Sequence, residues 1–132
     1  GQNHRYNLSD SVLIKDNHLA ILKSQGISIQ QAIETVKKRV PHTVKIEVEA
    51  DSLEQVEEIL LAGVDTILLD NMTVENLTKA VKMIGNMAKT EASGGVCLEN
   101  IGSIASTGVD FISVGALTHS AIALDISLDF NR

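Results

Sequence analysis

Ala62-Gly63-Val64-Asp65-Thr66-Ile67 recurs almost unchanged as Thr107-Gly108-Val109-Asp110-Phe111-Ile112. In each copy an amphipathic run stops at a glycine, the residue that closes helices, and a β-branched or aromatic run follows at once. Each copy therefore reads as a helix C-cap entering a strand. Working outward, Thr66-Ile67-Leu68-Leu69 is a strand ending at Asp70, and Phe111-Ile112-Ser113-Val114 is a strand ending at Gly115. Between them, Thr73 is placed to cap a helix carrying Val74, Leu77, Val81 and Ile84 before Gly85. Residues 88–93 form a less hydrophobic strand, and Leu98, Ile101, Ile104 and Ala105 mark a further helix before Gly108.

The same alternation extends toward the start of the chain. Val12-Leu13-Ile14 is a short buried-strand candidate that ends in four polar residues, Lys15-Asp16-Asn17-His18. Ser28 with Gln31 makes a capping box ahead of Ile29, Ala32, Ile33, Val36 and Val40 at helical spacing, and Pro41 closes that helix. Thr43 to Ala50 alternates, with Val44, Ile46 and Val48 on one face and Lys45, Glu47 and Glu49 on the other. Ser52 with Gln55 repeats the capping box for a helix carrying Leu53, Val56, Ile59 and Leu60. Strands and helices alternating through short connections imply right-handed βαβ units and a parallel sheet, an α/β fold.

The spacing selects among α/β folds. Glu49, Asp70, Ser93 and Gly115 each end an apolar run, 21, 23 and 22 residues apart. That repeat is short for a Rossmann half and fits the units of a TIM-like barrel. A closed barrel of eight units needs about 250 residues, so five strands in 132 residues cannot close one unaided, and the missing units are expected upstream. Gly1 stands where an initiator Met would, in keeping with a chain that begins inside a longer protein. In the tail, Ile122, Leu124, Ile126, Leu128 and Phe130 alternate with Ala123, Asp125, Ser127 and Asp129, the pattern of a two-faced strand whose partner is expected outside this chain.

Composition narrows the function classes. The chain is 44% apolar but only 2% aromatic with no Trp, so its core is built from Ile, Leu, Val and Ala, as parallel sheets are. A net charge of -6 gives no broad basic face for nucleic acid, and no apolar run is long enough to span a membrane. The single Cys97 rules out an internal disulfide and a Cys-built metal site. A small-molecule role in a reducing, cytoplasmic setting is expected.

In a βα barrel the C-terminal strand ends line one mouth, where side chains meet the ligand. Here the mouth collects Lys15, Glu49, Asp70, Ser93 and Gly115. Taken singly, each is a common turn former or helix cap, and Asp70 in particular is near enough to cap the helix at Thr73. Five at a common register point to a site. Glu91-Ala92-Ser93-Gly94-Gly95 ends in a hydroxyl and two glycines, whose backbone N–H groups can approach an oxyanion closely. Gly115, with His119 and Ser120 beyond it, forms a second such loop beside the first. Glu49 and Asp70 can bind a divalent metal or hold ribose hydroxyls. Lys15 is a Schiff-base candidate or an electrostatic clamp on carboxylate or phosphate. His4-Arg5 lies in a polar loop where Arg offers the planar fork that carboxylates prefer. His18 can simply start a helix, and His42 after Pro41 reads as exposed.

Asn3-His4-Arg5, Leu13-Ile14-Lys15-Asp16-Asn17-His18, Glu47-Val48-Glu49, Leu69-Asp70-Asn71-Met72, Glu91-Ala92-Ser93-Gly94-Gly95 and the run Gly108 to His119 together resemble the quinolinate phosphoribosyltransferases, also called nicotinate-nucleotide diphosphorylases (carboxylating). The motifs follow the family's order over nearly the whole chain. The resemblance implies an open barrel of fewer than eight strands, preceded by an α/β sandwich domain to which the C-terminal strand returns. Residues 1–132 would then be the C-terminal part of the barrel domain, without the sandwich domain and first barrel strands. It implies transfer of phosphoribosyl from phosphoribosyl pyrophosphate to quinolinate with Mg²⁺, giving nicotinate mononucleotide, pyrophosphate and CO2 in NAD biosynthesis.

By the same resemblance, His4, Arg5 and Lys15 would grip the quinolinate carboxylates. Glu49 and Asp70 would hold the ribose hydroxyls and the metal, directly or through water, and Ser93, Gly94 and Gly115 the 5′-phosphate, with His119 near it. The family also uses an Arg/Lys motif upstream of Asn3 and an Arg from a partner subunit, so a homodimer or higher homo-oligomer of the full-length protein is implied. Little turnover is expected of the 132 residues alone. Three other readings stay open on the residues: a barrel lyase with a Schiff base on Lys15, a sister phosphoribosyltransferase with another acceptor, and a non-catalytic phosphate-binding module.

Overall fold

The computed structural model describes residues 11–115 of the chain. Five strands, β1 (Ser11–Ile14), β2 (Lys45–Ala50), β3 (Thr66–Asp70), β4 (Lys89–Ser93) and β5 (Phe111–Ile112), pair in parallel in the order of the sequence. Between them run α1 (Asp16–Ser24), α2 (Ile29–Arg39), α3 (Leu53–Ala62), α4 (Val74–Ile84) and α5 (Ile101–Ala105). Sequential parallel order with a helix in every connection is the winding of a βα barrel, here as an open five-strand segment.

The helices start and stop where the local chemistry dictates. Ser28 and Gln31 form the full capping box of α2, the Ser28 hydroxyl accepting from Gln31 N–H at 3.2 Å and Gln31 Oε1 from Ser28 N–H at 3.1 Å. Ser52 caps α3, but the Gln55 side chain bonds the N–H of Asp51 rather than Ser52, so this second box is only half made. Thr73 caps α4 through Asn76 N–H, which answers the alternative of Asp70 as that cap. Helix α2 stops at Arg39, with Val40 extended ahead of Pro41. At the end of α3, Gly63 takes φ +67°, and the Lys37 ammonium of α2 donates to the carbonyls of Ala62 (2.7 Å) and Gly63, supplying one cation to carbonyls with no intrahelical partner.

Alternation along each strand divides the molecule into two faces. Ile14, Ile46, Val48, Ala50, Ile67, Leu69 and Ala92 face the helices and form one core with Leu19, Ile33, Val56, Ile59, Leu77, Ala80, Ile84 and Ile104. The opposite parity is the face that lines the inside of a βα barrel, and on it Glu47 and Glu91 are buried while Phe111 is 43% exposed.

The repeated hexapeptide has one structural job in both copies. Asp65 and Asp110 precede β3 and β5, and each carboxylate bonds backward across the sheet. Asp65 Oδ2 accepts from Ile46 N–H at 2.8 Å, and Asp110 Oδ2 accepts from Thr90 N–H and Thr90 Oγ1, both at 2.9 Å. In return Asp65 N–H donates to Ile46 O and Asp110 N–H to Thr90 Oγ1. These clasps sit at the N-terminal rim, opposite the mouth, and set the register of β2 with β3 and of β4 with β5.

One sequence expectation is extended and two are corrected. His18 does start a helix, and so do the other polar residues after β1: Lys15 is the N-cap position of α1, and Asp16, Asn17 and His18 form its first turn. Leu98 is 91% exposed and precedes α5, so it is not part of that helix's buried face. The fifth strand pairs only over Phe111 and Ile112, although Ser113 N–H still bonds Ala92 O. The alternating tail, residues 122–130, lies outside the described residues.

Candidate functional site

The four strand-end residues Lys15, Glu49, Asp70 and Ser93 fall on the interior parity of their strands, and Gly115 follows at the same parity after β5. Register places them at two levels. Lys15 follows Ile14, which pairs with Val48, so Lys15 stands level with Glu49. Asp70 pairs directly with Ser93, one pleat farther toward the mouth. The common register expected from the sequence is thus one interior face with two levels, Lys15 beside Glu49 and Asp70 beside Ser93. His4, Arg5 and His119 lie outside the described residues.

Glu49 carries the electrostatic character of the site. Its carboxyl is held above the ordinary value of 4.5 by partial burial, then by the neighbouring carboxylates of Asp16 and Asp70; the Asp16 backbone N–H and the Lys15 ammonium pull the other way. Asp16 reaches the site because α1 begins immediately after β1, which aims the first N–H of that helix at Glu49. Asn17 N–H in turn bonds Asp16 Oδ1 at 2.6 Å. His18 Nδ1 accepts from Lys15 N–H at 3.4 Å, which uses His18 to close the turn and leaves Lys15, an exposed residue, at the rim.

Gly94 and Gly95 follow Ser93 with φ +84° and +59°, turning the chain back over the end of β3. There the Asn71 N–H bonds Ser93 O at 3.0 Å, and Asn71 Nδ2 donates to Asp70 Oδ2 at 2.9 Å. A Cβ on residue 94 would sit 2.9 Å from Asn71 N and closer still to the Asn71 amide, so glycine is demanded there by contact as well as by φ. Farther along, the loop is tied by Asn100, whose Nδ2 donates to Gly95 O and whose Oδ1 accepts from Cys97 N–H, each at 2.9 Å. Gly115 is different: a Cβ there would meet nothing within 4 Å among the described residues.

Below the mouth, Ser113 Oγ donates to Glu91 Oε1, joining β4 to the chain just after β5. Sequence reasoning gave Ser113, Asn71, Asp16 and Asn100 no role in the site. Two signals were present. Ser113 is the polar residue at interior parity in Phe111-Ile112-Ser113-Val114, and Asn71, after a strand-end Asp, is a residue type that tolerates positive φ.

Such a mouth can hold a polyhydroxylated, phosphorylated ligand: hydroxyls on the carboxylates, phosphate on the glycine loop, and a ligand anion on Lys15. No cluster of three or more His, Cys, Asp or Glu side chains among the described residues is arranged to hold a metal ion. The donor set nevertheless suits Mg²⁺ delivered with a polyphosphate, which keeps several waters and needs one or two carboxylates. No helix among the described residues is long and apolar enough to cross a membrane.

Comparison with known proteins gives a consistent result. Residues 1–129 match the family model for the quinolinate phosphoribosyl transferase C-terminal domain. A Bacillus subtilis protein named probable nicotinate-nucleotide pyrophosphorylase (carboxylating) is 43% identical over 129 residues, covering 98% of this chain and 43% of that protein. The Mycobacterium leprae nicotinate-nucleotide pyrophosphorylase (carboxylating) is 46% identical over 132 residues, covering 98% of this chain and 45% of its own length. Among solved structures, NadC from Streptococcus pyogenes superposes with a TM-score of 0.83 at 40% identity, over 98% of this chain and 44% of that one. A thiamine phosphate pyrophosphorylase from Pyrococcus furiosus, at 24% identity and TM-score 0.62, shares the barrel fold alone. The chain thus spans less than half the length of these curated relatives.

Proposed function

We propose, on the premise that this chain belongs to the quinolinate phosphoribosyl transferase family as its C-terminal domain, that the protein carrying it joins quinolinate to phosphoribosyl pyrophosphate, with loss of CO2. The products are nicotinate mononucleotide and pyrophosphate, as the names of the curated relatives suggest. The observation that carries the reading is the interior row: Lys15 level with Glu49, Asp70 paired with Ser93, and the Gly94 turn packed over Asp70's neighbour.

Each residue type suits a part of the chemistry. As the pyridine nitrogen bonds the ribose C1, the bond from C1 to the pyrophosphate oxygen breaks and C1 acquires cationic character. Glu49 and Asp70 put negative charge beside it and accept from the ribose hydroxyls. Both would also hold Mg²⁺, which when bound offsets charge on the departing pyrophosphate. Ser93 and the N–H groups of Gly94 and Gly115 would take the 5′-phosphate, with His119 nearby. The 2-carboxylate leaves as CO2, its bonding electron pair passing to the ring carbon, which then takes a proton. Lys15, with His4 and Arg5, would hold the dicarboxylate and stabilise that negative character. Because Glu49 must be ionised for its part, its raised pKa sets an acid limit on activity.

The exposure of Lys15 supports the clamp over the Schiff base, which draws on an apolar enclosure or an adjacent cation. The full-length protein is proposed to act as a homo-oligomer in the cytoplasm. Isothermal titration of the full-length protein with quinolinate and with nicotinate tests the acceptor. Quinolinate is expected to bind at least tenfold tighter and to lose that advantage in Lys15→Ala; equal binding of the two acids would refute the assignment of acceptor.

A further inference from the structure

Asn71 adopts φ +51°, the one positive φ outside glycine among the described residues. Such a backbone persists in a non-glycine residue where the surroundings over-determine it, and such positions cluster at functional sites. Here three contacts fix it. Its N–H bonds Ser93 O at 3.0 Å, its Nδ2 donates to Asp70 Oδ2 at 2.9 Å, and its carboxamide lies against Gly94 where a Cβ would otherwise be.

We infer that Asn71 is a positioning residue that couples the Asp70 carboxylate to the Gly94 phosphate loop, so that ribose and 5′-phosphate are gripped at a fixed separation. The inference rests on the proposed roles of Asp70 and Gly94 and adds the link between them. One amide has two faces in use: its NH2 group fixes the plane of the Asp70 carboxylate, and the rest of the group packs on the Cα of Gly94. Left-handed backbone at residue 71 is what brings the side chain back over both. The geometry also explains the demand for glycine at 94, which φ +84° alone would only favour. Asparagine suits the task because it tolerates this φ and can donate to a carboxylate without adding charge. Aspartate would place a second negative charge beside Asp70.

The test uses the full-length protein with Asn71→Gly, Gly94→Ala and the double variant. Glycine at 71 keeps the positive φ and removes only the amide, so the fold survives. Losing a hydrogen bond to a charged group is worth roughly a 10- to 100-fold change. Asn71→Gly should therefore lower kcat/KM for phosphoribosyl pyrophosphate by at least about tenfold, with the KM for quinolinate changed less than about twofold because its clamp is elsewhere. A merely structural role for Asn71 would move both substrates together. In thermal unfolding, Gly94→Ala should lower Tm by clearly more in the wild-type background than in Asn71→Gly. The strain of alanine at φ +84° and its approach to the backbone N of residue 71 are common to both backgrounds and cancel in the difference, which leaves the contact with the Asn71 amide. Equal Tm losses in the two backgrounds, or unchanged kcat/KM in Asn71→Gly, would overturn the inference. A wild-type protein that forms no nicotinate mononucleotide would remove the proposed function instead, and the thermal cycle would then decide the inference alone.

Discussion

Replacing Asp110 by Ala removes the clasp that the repeated hexapeptide builds between β4 and the start of β5. The carboxylate accepts from Thr90 N–H and Thr90 Oγ1 at 2.9 Å and from Lys89 Nζ at 2.7 Å. Thr90 is 2% exposed, so neither of its groups regains water when the carboxylate goes. Hydrogen bonds to a charged acceptor contribute about 1.5–3 kcal/mol each. The Asp110 side chain is about a third exposed, so the lower bound applies to both Thr90 bonds. The Lys89 side chain is 63% exposed, and such a pair adds at most about 0.5 kcal/mol. Asp110→Ala should therefore cost about 3 kcal/mol, and Asp110→Asn, which keeps one acceptor, about 1 kcal/mol.

Equilibrium urea unfolding at pH 7, with the m value checked for constancy, measures both variants. The pH dependence adds an independent check. Lys89, together with the N–H and hydroxyl of Thr90, holds the Asp110 carboxyl below its ordinary value of 3.8. The folded protein thus keeps this carboxylate ionised where the unfolded chain takes up a proton. Its stabilisation is complete above the unfolded value and fades as pH falls through the folded one. The Asp110→Ala penalty should shrink below about pH 3.8. A cost under about 1 kcal/mol at neutral pH, or one that does not change on acidification, would refute the reasoning.

Further predictions concern the mouth and the core. Glu49 is raised, so the folded state holds its proton in a window above 4.5 where the unfolded chain has lost it, and stability falls as pH rises through that window. Glu49→Gln should then melt higher than wild type at pH 7 without ligand and about equally below pH 4, while catalysis drops at least about tenfold; a lower neutral Tm would contradict the crowding of Glu49 by Asp16 and Asp70. Ile33, fully buried on α2, should cost about 3 kcal/mol as Ile33→Ala in chemical unfolding, with activity per folded molecule unchanged.

Much of the fold was legible because period and punctuation agreed. The hexapeptide marked two strand entries, Ser28 and Thr73 marked two helix starts, and the spacing from Glu49 to Gly115 put the site on one rim. Helix α1 escaped because Leu19 alone of its nine residues is buried, so no apolar stripe announced it. Leu98 misled for the opposite reason: one exposed apolar residue fell at helical spacing from Ile101. The alternation of β2 put Glu47 opposite Ile46 and Val48, but not that Glu47 is buried there, which depends on neighbouring strands. Residues acting through others were the hardest to see. Asn71 and Ser113 matter because of what lies across the sheet from them, and pairing register is a tertiary property that no local pattern carries.

The central claim is the reaction itself, and product stoichiometry tests it most directly. Full-length protein supplied with phosphoribosyl pyrophosphate, Mg²⁺ and quinolinate labelled in the 2-carboxylate should release labelled CO2, nicotinate mononucleotide and pyrophosphate in equal amounts, and lose that activity in Asp70→Ala. Absence of labelled CO2, or equal nucleotide formation from an acceptor without a 2-carboxylate, would contradict it.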